Sequence, residues 1–227
     1  MFYFCARSTI DCAIFQMTLE PLMTFVEIAA TIAFAISGVI EAVRKQMDVV
    51  GIFAIAFVTA FGGGTVRDVL LDRRPLFWVQ HQEYVWLVLA LAVMAPPLLR
   101  IGRHRPARWL MEATDAVGLG LFSISGASIA QAAGMPLVVV VLMGVITGVC
   151  GGVLRDVVCD QIPAVFHNRH PYALCAVFGC LVYWLLHGVG VESWLKLSVG
   201  VATTTGLRLL ALAWGWRIPT WPSTFKI

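Results

Sequence analysis

The sequence predicts an all-α polytopic membrane protein: seven transmembrane helices, an inverted repeat of three plus three, and a seventh helix added. Three observations predict it. First, the chain of 227 residues is 59% hydrophobic and only 13% charged, whereas soluble domains carry about 25% charged residues. Its mean hydropathy is +0.85. Second, charge is expelled from long runs. Ala116 to Leu154 contains no Asp, Glu, Lys, Arg or His over 39 residues. One helix of that length would reach about 58 Å, against roughly 30 Å of hydrocarbon, so it must be two spans. Third, the sequence repeats itself at an offset of 88 residues. An ordinary soluble enzyme and a disordered chain are excluded. A net charge of +3 is too small to argue for nucleic acid.

The same expulsion of charge places spans at about 22–43, 48–71, 83–100, 111–132, 136–159, 171–190 and 194–214. Gly134-Met135-Pro136 is the turn that divides the long uncharged run. Backbone groups in hydrocarbon must bond internally, so helices are the default, and no alternating pattern suggests a barrel. The chain divides into an N-terminal leader (1–20), a first three-helix repeat (21–105), a second (106–191), the seventh helix (192–215) and a C-terminal tail (216–227). The leader does not read as a signal peptide. Arg7 is its one basic residue, and Asp11 and Glu20 break the apolar run. It is expected to be short and weakly ordered. The six cysteines show no CxxC pair and no Cys/His cluster. Cys150, Cys159, Cys175 and Cys180 are read as small apolar packing residues, and neither metal nor cofactor is expected.

Orientation follows from Lys and Arg. Seven spans put Arg7, Arg73, Arg74 and Lys196 on one face. The other face takes Arg44, Lys45, Arg100, Arg103, Arg105, Arg108, Arg169, Arg217 and Lys226. Nine against four predicts an outside N-terminus and a cytoplasmic C-terminus. The basic run from Arg100 to Arg108 is either a topology signal in a solvated loop or a contact with anionic lipid headgroups.

From Thr24 to Tyr84 the 88-residue offset needs no gap, and 16 of 61 pairs are identical. Ser37-Gly38 falls on Ser125-Gly126, Thr59 on Thr147, and Gly63-Gly64 on Gly151-Gly152. Arg67-Asp68 falls on Arg155-Asp156, and Asp72, Pro75 and Tyr84 fall on Asp160, Pro163 and Tyr172. Three crossings separate equivalent positions, so the halves are oppositely oriented. Inverted repeats often place a transport site where the halves meet.

Glycine clusters interrupt the second and fifth spans, at Gly62-Gly63-Gly64 and Gly151-Gly152. Each glycine costs about 1 kcal/mol relative to Ala inside a helix. The expectation is therefore a broken pore helix in each half, with close packing through small residues as the alternative. Arg67 and Arg155 are costly at membrane depth unless paired or wetted. A glycine at i−3 leaves room beside each guanidinium. Glu27 and Asp115 are repeat equivalents and candidate counter-ions. Asp68 and Asp156 sit about 100° round the helix, with Asp72 and Asp160 one turn further on, at opposite mouths. This network is either a gate in an aqueous path or a set of inter-helix salt bridges. Ser37, Thr59, Ser125 and Thr147 are candidate oxygens along a path, if they do not bond their own helices.

The doubled Gly-Gly-x-x-Arg-Asp motif, two three-helix repeats and a seventh helix resemble the prokaryotic members of the trimeric intracellular cation (TRIC) channel family, which also carry a glycine-transporter domain name. The resemblance covers roughly residues 20 to 214. It implies a homotrimer with an hourglass pore through each protomer, lined by kinked second and fifth helices and permeated by K⁺ and Na⁺. The motif lands on Gly62, Gly63, Gly64, Arg67 and Asp68, and on Gly151, Gly152, Arg155 and Asp156. Cys150 departs from it where the first repeat has Gly62. The lysine-containing motif of the animal members is not evident. A channel in a bacterial or archaeal inner membrane, without enzymatic activity, is the leading expectation. A secondary transporter of a small solute such as glycine is the alternative, and a structural or lipid-organising protein the third. No phosphate-binding loop supports an ATP-driven pump.

Overall fold

The computed structural model describes residues 9–101, 106–167 and 171–216. Among them are nine helices: α1 (Thr9–Arg44), α2 (Val49–Leu70), α3 (Phe77–Gln80), α4 (Glu83–Ile101), α5 (Pro106–Ala132), α6 (Leu137–Val158), α7 (Ala164–His167), α8 (Ala173–Gly188) and α9 (Ser193–Ala213). Five stretches are long and apolar enough to cross a bilayer: Pro21–Arg44, Val49–Leu70, Arg108–Ala132, Leu137–Val158 and Ser193–Ala213. Glu83–Met94 and Ala173–Gly188 are shorter apolar helices. The helix expected from 22 begins upstream at Thr9, so residues 9–20, read from the sequence as leader, continue α1, with Pro21 inside it. Arg7, Arg103, Arg105, Arg169, Arg217 and Lys226 lie outside the described residues, as does the centre of the basic run.

Positions 88 apart fold alike. Asp72 (φ 50°) and Asp160 (φ 54°) take the left-handed conformation just beyond α2 and α6. After them, the Arg73 N–H donates to the Asp68 carbonyl at 2.8 Å and the Gln161 N–H to the Asp156 carbonyl at 2.9 Å. Each bond satisfies a carbonyl left open at a helix end. Asp tolerates this conformation better than most residues. Gln46 (φ 57°) and Gly134 (φ 72°) form a second equivalent pair, in the turns after α1 and α5.

The glycine clusters correct one expectation. The second and fifth spans are not broken: α2 and α6 are helical throughout. The glycines serve close approach instead. A methyl on Gly63 would collide with the carbonyl oxygen of Thr147, and one on Gly151 with that of Thr59. Since Thr59 and Thr147 are themselves repeat equivalents, α2 and α6 cross by a reciprocal backbone contact. Gly64 gives room to the Phe77 ring, and Gly62 to the Leu154 side chain. The close-packing alternative is the one the structure adopts.

Two cores result. One is built on α1, α2, α3 and α4 around Phe34, Ile55, Phe61, Phe77 and Tyr84. The other joins α5, α6, α8 and α9 around Ile124, Met143, Cys180, Tyr183 and Leu197. The halves meet where α1 packs on α5 and α2 on α6. Phe34 and Phe122, also 88 apart, stack there with centroids 5.5 Å apart. Helix α9 packs against α5 and α8 and so belongs to the second half.

Ala at Gly63 or Gly151 should therefore separate α2 from α6 and destabilise the fold by about 1–3 kcal/mol or more. Gly206 on α9 has open space around its Cα, so Gly206→Ala should be neutral or stabilising by up to about 1 kcal/mol. Thermal unfolding of the three variants in detergent checks the contrast. Equal melting temperatures would contradict the reciprocal crossing.

Candidate functional site: two buried arginine–carboxylate clusters

The C-terminal turns of α2 and α6 each deliver an arginine to the protein interior. Arg67 is fully buried, and Arg155 is 3% exposed. A guanidinium out of water requires charge compensation and partners for its donors.

Arg67 Nε donates to Asp68 Oδ1 at 2.8 Å. Its Nη1 donates to Glu27 Oε1 at 2.9 Å and to Ser125 Oγ at 3.2 Å. Arg155 repeats the pattern. Its Nε and Nη2 donate to Asp156 Oδ1 at 3.0 and 2.9 Å. Its Nη1 donates to Asp115 Oδ1 at 2.6 Å and to Ser37 Oγ at 2.5 Å. Each arginine is thus held by two carboxylates of its own half and by a serine of the other half. The expected counter-ions Glu27 and Asp115 are in place, and so are both aspartates of the Arg-Asp motif.

The second oxygens of those aspartates hold the short helices. Asp68 Oδ2 accepts the Phe77 N–H at 2.8 Å, and Asp156 Oδ2 accepts the Ala164 N–H at 2.9 Å. Helices α3 and α7 are thereby pinned beneath the clusters. Phe77 lies against the guanidinium of Arg67, 5.3 Å from Cζ to the ring centroid. It also packs edge-on to Phe122 at 6.3 Å. A line of aromatic rings therefore runs from Arg67 through Phe77 to the Phe34–Phe122 pair between the halves. Gly152 leaves room beside Arg155: a methyl there would approach the Tyr172 hydroxyl and Asp115 Oδ1.

Other expected residues are spent differently. Thr59 Oγ1 donates to the Ile55 carbonyl and Thr147 Oγ1 to the Met143 carbonyl, each at 2.6 Å along its own helix. Ser37 and Ser125 bind the arginines. Asp72 and Asp160 are exposed at the helix ends and join neither cluster. Cys150, Cys159, Cys175 and Cys180 are free thiols, buried or half-buried.

Besides Phe77, four participants were not found from sequence. Phe34 and Phe122 match at the 88-residue offset, but one apolar identity inside an apolar run says little. Tyr172 donates to Asp115 Oδ2 at 2.8 Å, and its match to Tyr84 was the available signal. Arg208 of α9 is 3% exposed and stands over the Tyr172 ring at 4.8 Å. It lies outside the repeat, so symmetry gave no pointer to it.

Apolar helices long enough to cross a bilayer, in two equivalent halves that each close on a buried Arg-carboxylate cluster, define an integral membrane protein. The comparisons then narrow it. A family model described as "Glycine transporter" matches residues 24–98 and 112–188, two segments that begin 88 residues apart. A UPF0126 membrane protein of Vibrio cholerae is 34% identical over 203 residues, covering 89% of this chain and 84% of the relative. The UPF0126 inner membrane protein YadS of Escherichia coli K12 is 35% identical over 202 residues, covering 88% and 96%. The TRIC trimeric intracellular cation channel orthologue from Rhodobacter sphaeroides superposes with a TM-score of 0.80 at 33% identity, covering 86% of this chain and all of that one. A prokaryotic TRIC channel crystallised in 0.5 M KCl gives 0.81 at 27% identity, with 86% and 97% covered. The chain belongs to this family, as a prokaryotic TRIC relative.

Arg155→Gln removes the cation that two buried carboxylates share, and breaking a buried pair from one side costs about 3–5 kcal/mol. Combining it with Asp115→Asn should recover a substantial part of that loss, because one uncompensated charge goes with it. Melting temperatures of the wild type, both single variants and the double variant close the cycle. Strictly additive losses would mean that the two side chains do not interact.

Proposed function

We propose that the protein is a cation channel of the inner membrane, permeated by K⁺ and Na⁺ along a path through each protomer of a homotrimer. The coarse reading rests on the close likeness to solved TRIC cation channels. The path, its selectivity and its gate are argued from this chain. Read against a bilayer, the seven longer helices cross with the N-terminus outside and the C-terminus cytoplasmic, and the halves are inverted. The Arg67 cluster then faces the outer side, and the Arg155 cluster the cytoplasm.

One observation carries the choice of cation. An arginine in a narrow path repels cations, and the sequence alone left that conflict open. The guanidinium groups of Arg67 and Arg155 each contact two carboxylates, so their charge is cancelled and they do not make the wall of the path positive. Withdrawal of an arginine would leave carboxylates to meet a cation, which makes Arg67 and Arg155 gating residues. Between the clusters the Gly63–Gly151 crossing and the Phe34–Phe122 pair close the waist of an hourglass, and Asp72 and Asp160 mark its mouths. The same double pairing argues against a carrier for glycine, since each guanidinium already faces two carboxylates of the protein. The reaction is permeation, and no enzymatic step is assigned. Lipid contacts at the perimeter follow from the exposed apolar side chains, such as Trp86, Phe178 and Trp194.

Purified protein in a planar bilayer under a KCl gradient should pass current that reverses on the cation side of zero, and substitution of Na⁺ for K⁺ should sustain it. Arg67→Gln in folded protein should raise cation flux or loosen the closed state. Reversal on the anion side, or silent protein that takes up glycine saturably, would overturn the reading.

A further inference from the structure

Arg208 is the third deeply buried arginine among the described residues, and it has no carboxylate partner there. Its Nε and Nη1 lack hydrogen-bond partners, and its cation faces the Tyr172 ring instead. A guanidinium over an aromatic face is attracted by the ring quadrupole, more strongly when desolvated. The hydroxyl of that same ring donates to Asp115 Oδ2 at 2.8 Å, while Asp115 Oδ1 accepts from Arg155 at 2.6 Å. Four residues, three on helices and one at a helix start, therefore form one chain: Arg208 (α9), Tyr172 (the residue before α8), Asp115 (α5) and Arg155 (α6).

The first half has no counterpart. Tyr84, the equivalent of Tyr172, stacks on His81 at 5.1 Å, and its hydroxyl has no hydrogen-bond partner among the described residues. Its counter-ion is Glu27 where the second half has Asp115. The additional cation near the first cluster is Arg73, 3.8 Å from Asp68 and 49% exposed. One cluster is thus tied to a buried side chain on a helix outside the repeat, and the other to a solvated side chain.

We infer that Arg208 is a positioning residue for the Arg155 cluster: through Tyr172 it orients Asp115, and so couples the seventh helix to one of the two charge clusters. The inference rests on the channel reading and deepens it, because it makes the two ends unequal. Displacement of α9 loosens the Arg155 end and leaves the Arg67 end as it was.

The test is a cycle of Tyr172→Phe, Arg208→Gln and the double variant, with Tyr84→Phe and Arg208→Lys as controls. Tyr172→Phe keeps the ring and its cation contact but removes the bond to Asp115. Single-channel recording of folded protein should show a severalfold change in open probability for Tyr172→Phe and for Arg208→Gln. The double variant should change no more than the larger single one. Tyr84→Phe should leave gating unchanged, and Arg208→Lys should restore most of it. Additive effects, equal effects of the two Tyr→Phe changes, or wild-type gating in Arg208→Gln would each overturn the inference. If Arg208→Gln does not fold, the Tyr172→Phe against Tyr84→Phe contrast decides. A wild type that passes no cation current would defeat the channel reading instead. The coupling would then be read from the melting temperatures of the same cycle, where additivity again refutes it.

Discussion

Arg67 and Arg155 each sit between two carboxylates, and much of the architecture serves to bring those charges together. A charge in the interior is tolerated only with excellent geometry and with the remaining donors satisfied. Glu27 comes from the middle of α1, Asp115 from the first half of α5, and the arginines from the last turns of α2 and α6. Antiparallel neighbours in each half are what bring such positions level. The serines Ser37 and Ser125 cross between halves, so neither cluster is complete without the other repeat. The charges thereby fix both the pairing of helices and the docking of the halves.

The docking has a second requirement, which is proximity. Two helices whose backbones touch need small residues at the crossing. Gly63 against the Thr147 carbonyl and Gly151 against the Thr59 carbonyl supply it twice, by the same rule read in opposite directions. Either residue of the pair alone would let the helices tilt apart at one side. Together with the stacked Phe34 and Phe122 they pack the two halves closely together between the two charge clusters.

Much of this was legible before any coordinates. The 88-residue offset named the arginines, both motif aspartates, the counter-ions and the serines, because polar identities inside apolar runs are rare and therefore informative. What failed was the reading of glycine. A cluster of glycines has the same composition whether it frees carbonyls or admits a neighbouring backbone. The partner that decides between these lies 84 residues from Gly63, at Thr147, on another helix. Thr59 and Thr147 were offered as path oxygens but bond their own helices, as hydroxyls in helices commonly do. The helices α3 and α7 have four residues each, too few for any periodicity to announce. Arg208 stood outside the repeat, where symmetry has nothing to compare.

The account turns on the two clusters lying at opposite membrane faces, and side-specific labelling tests that most directly. Arg74 and Ile162 are repeat equivalents, both exposed beyond the ends of α2 and α6. Single cysteines at these positions, in a background with the native cysteines replaced, would be treated with an impermeant thiol reagent in sealed vesicles of known orientation. The account predicts that the Arg74→Cys protein reacts only from the outside and the Ile162→Cys protein only after the cytoplasmic side is opened. Reaction of both from the same side would contradict the inverted repeat, and with it the single path between the clusters.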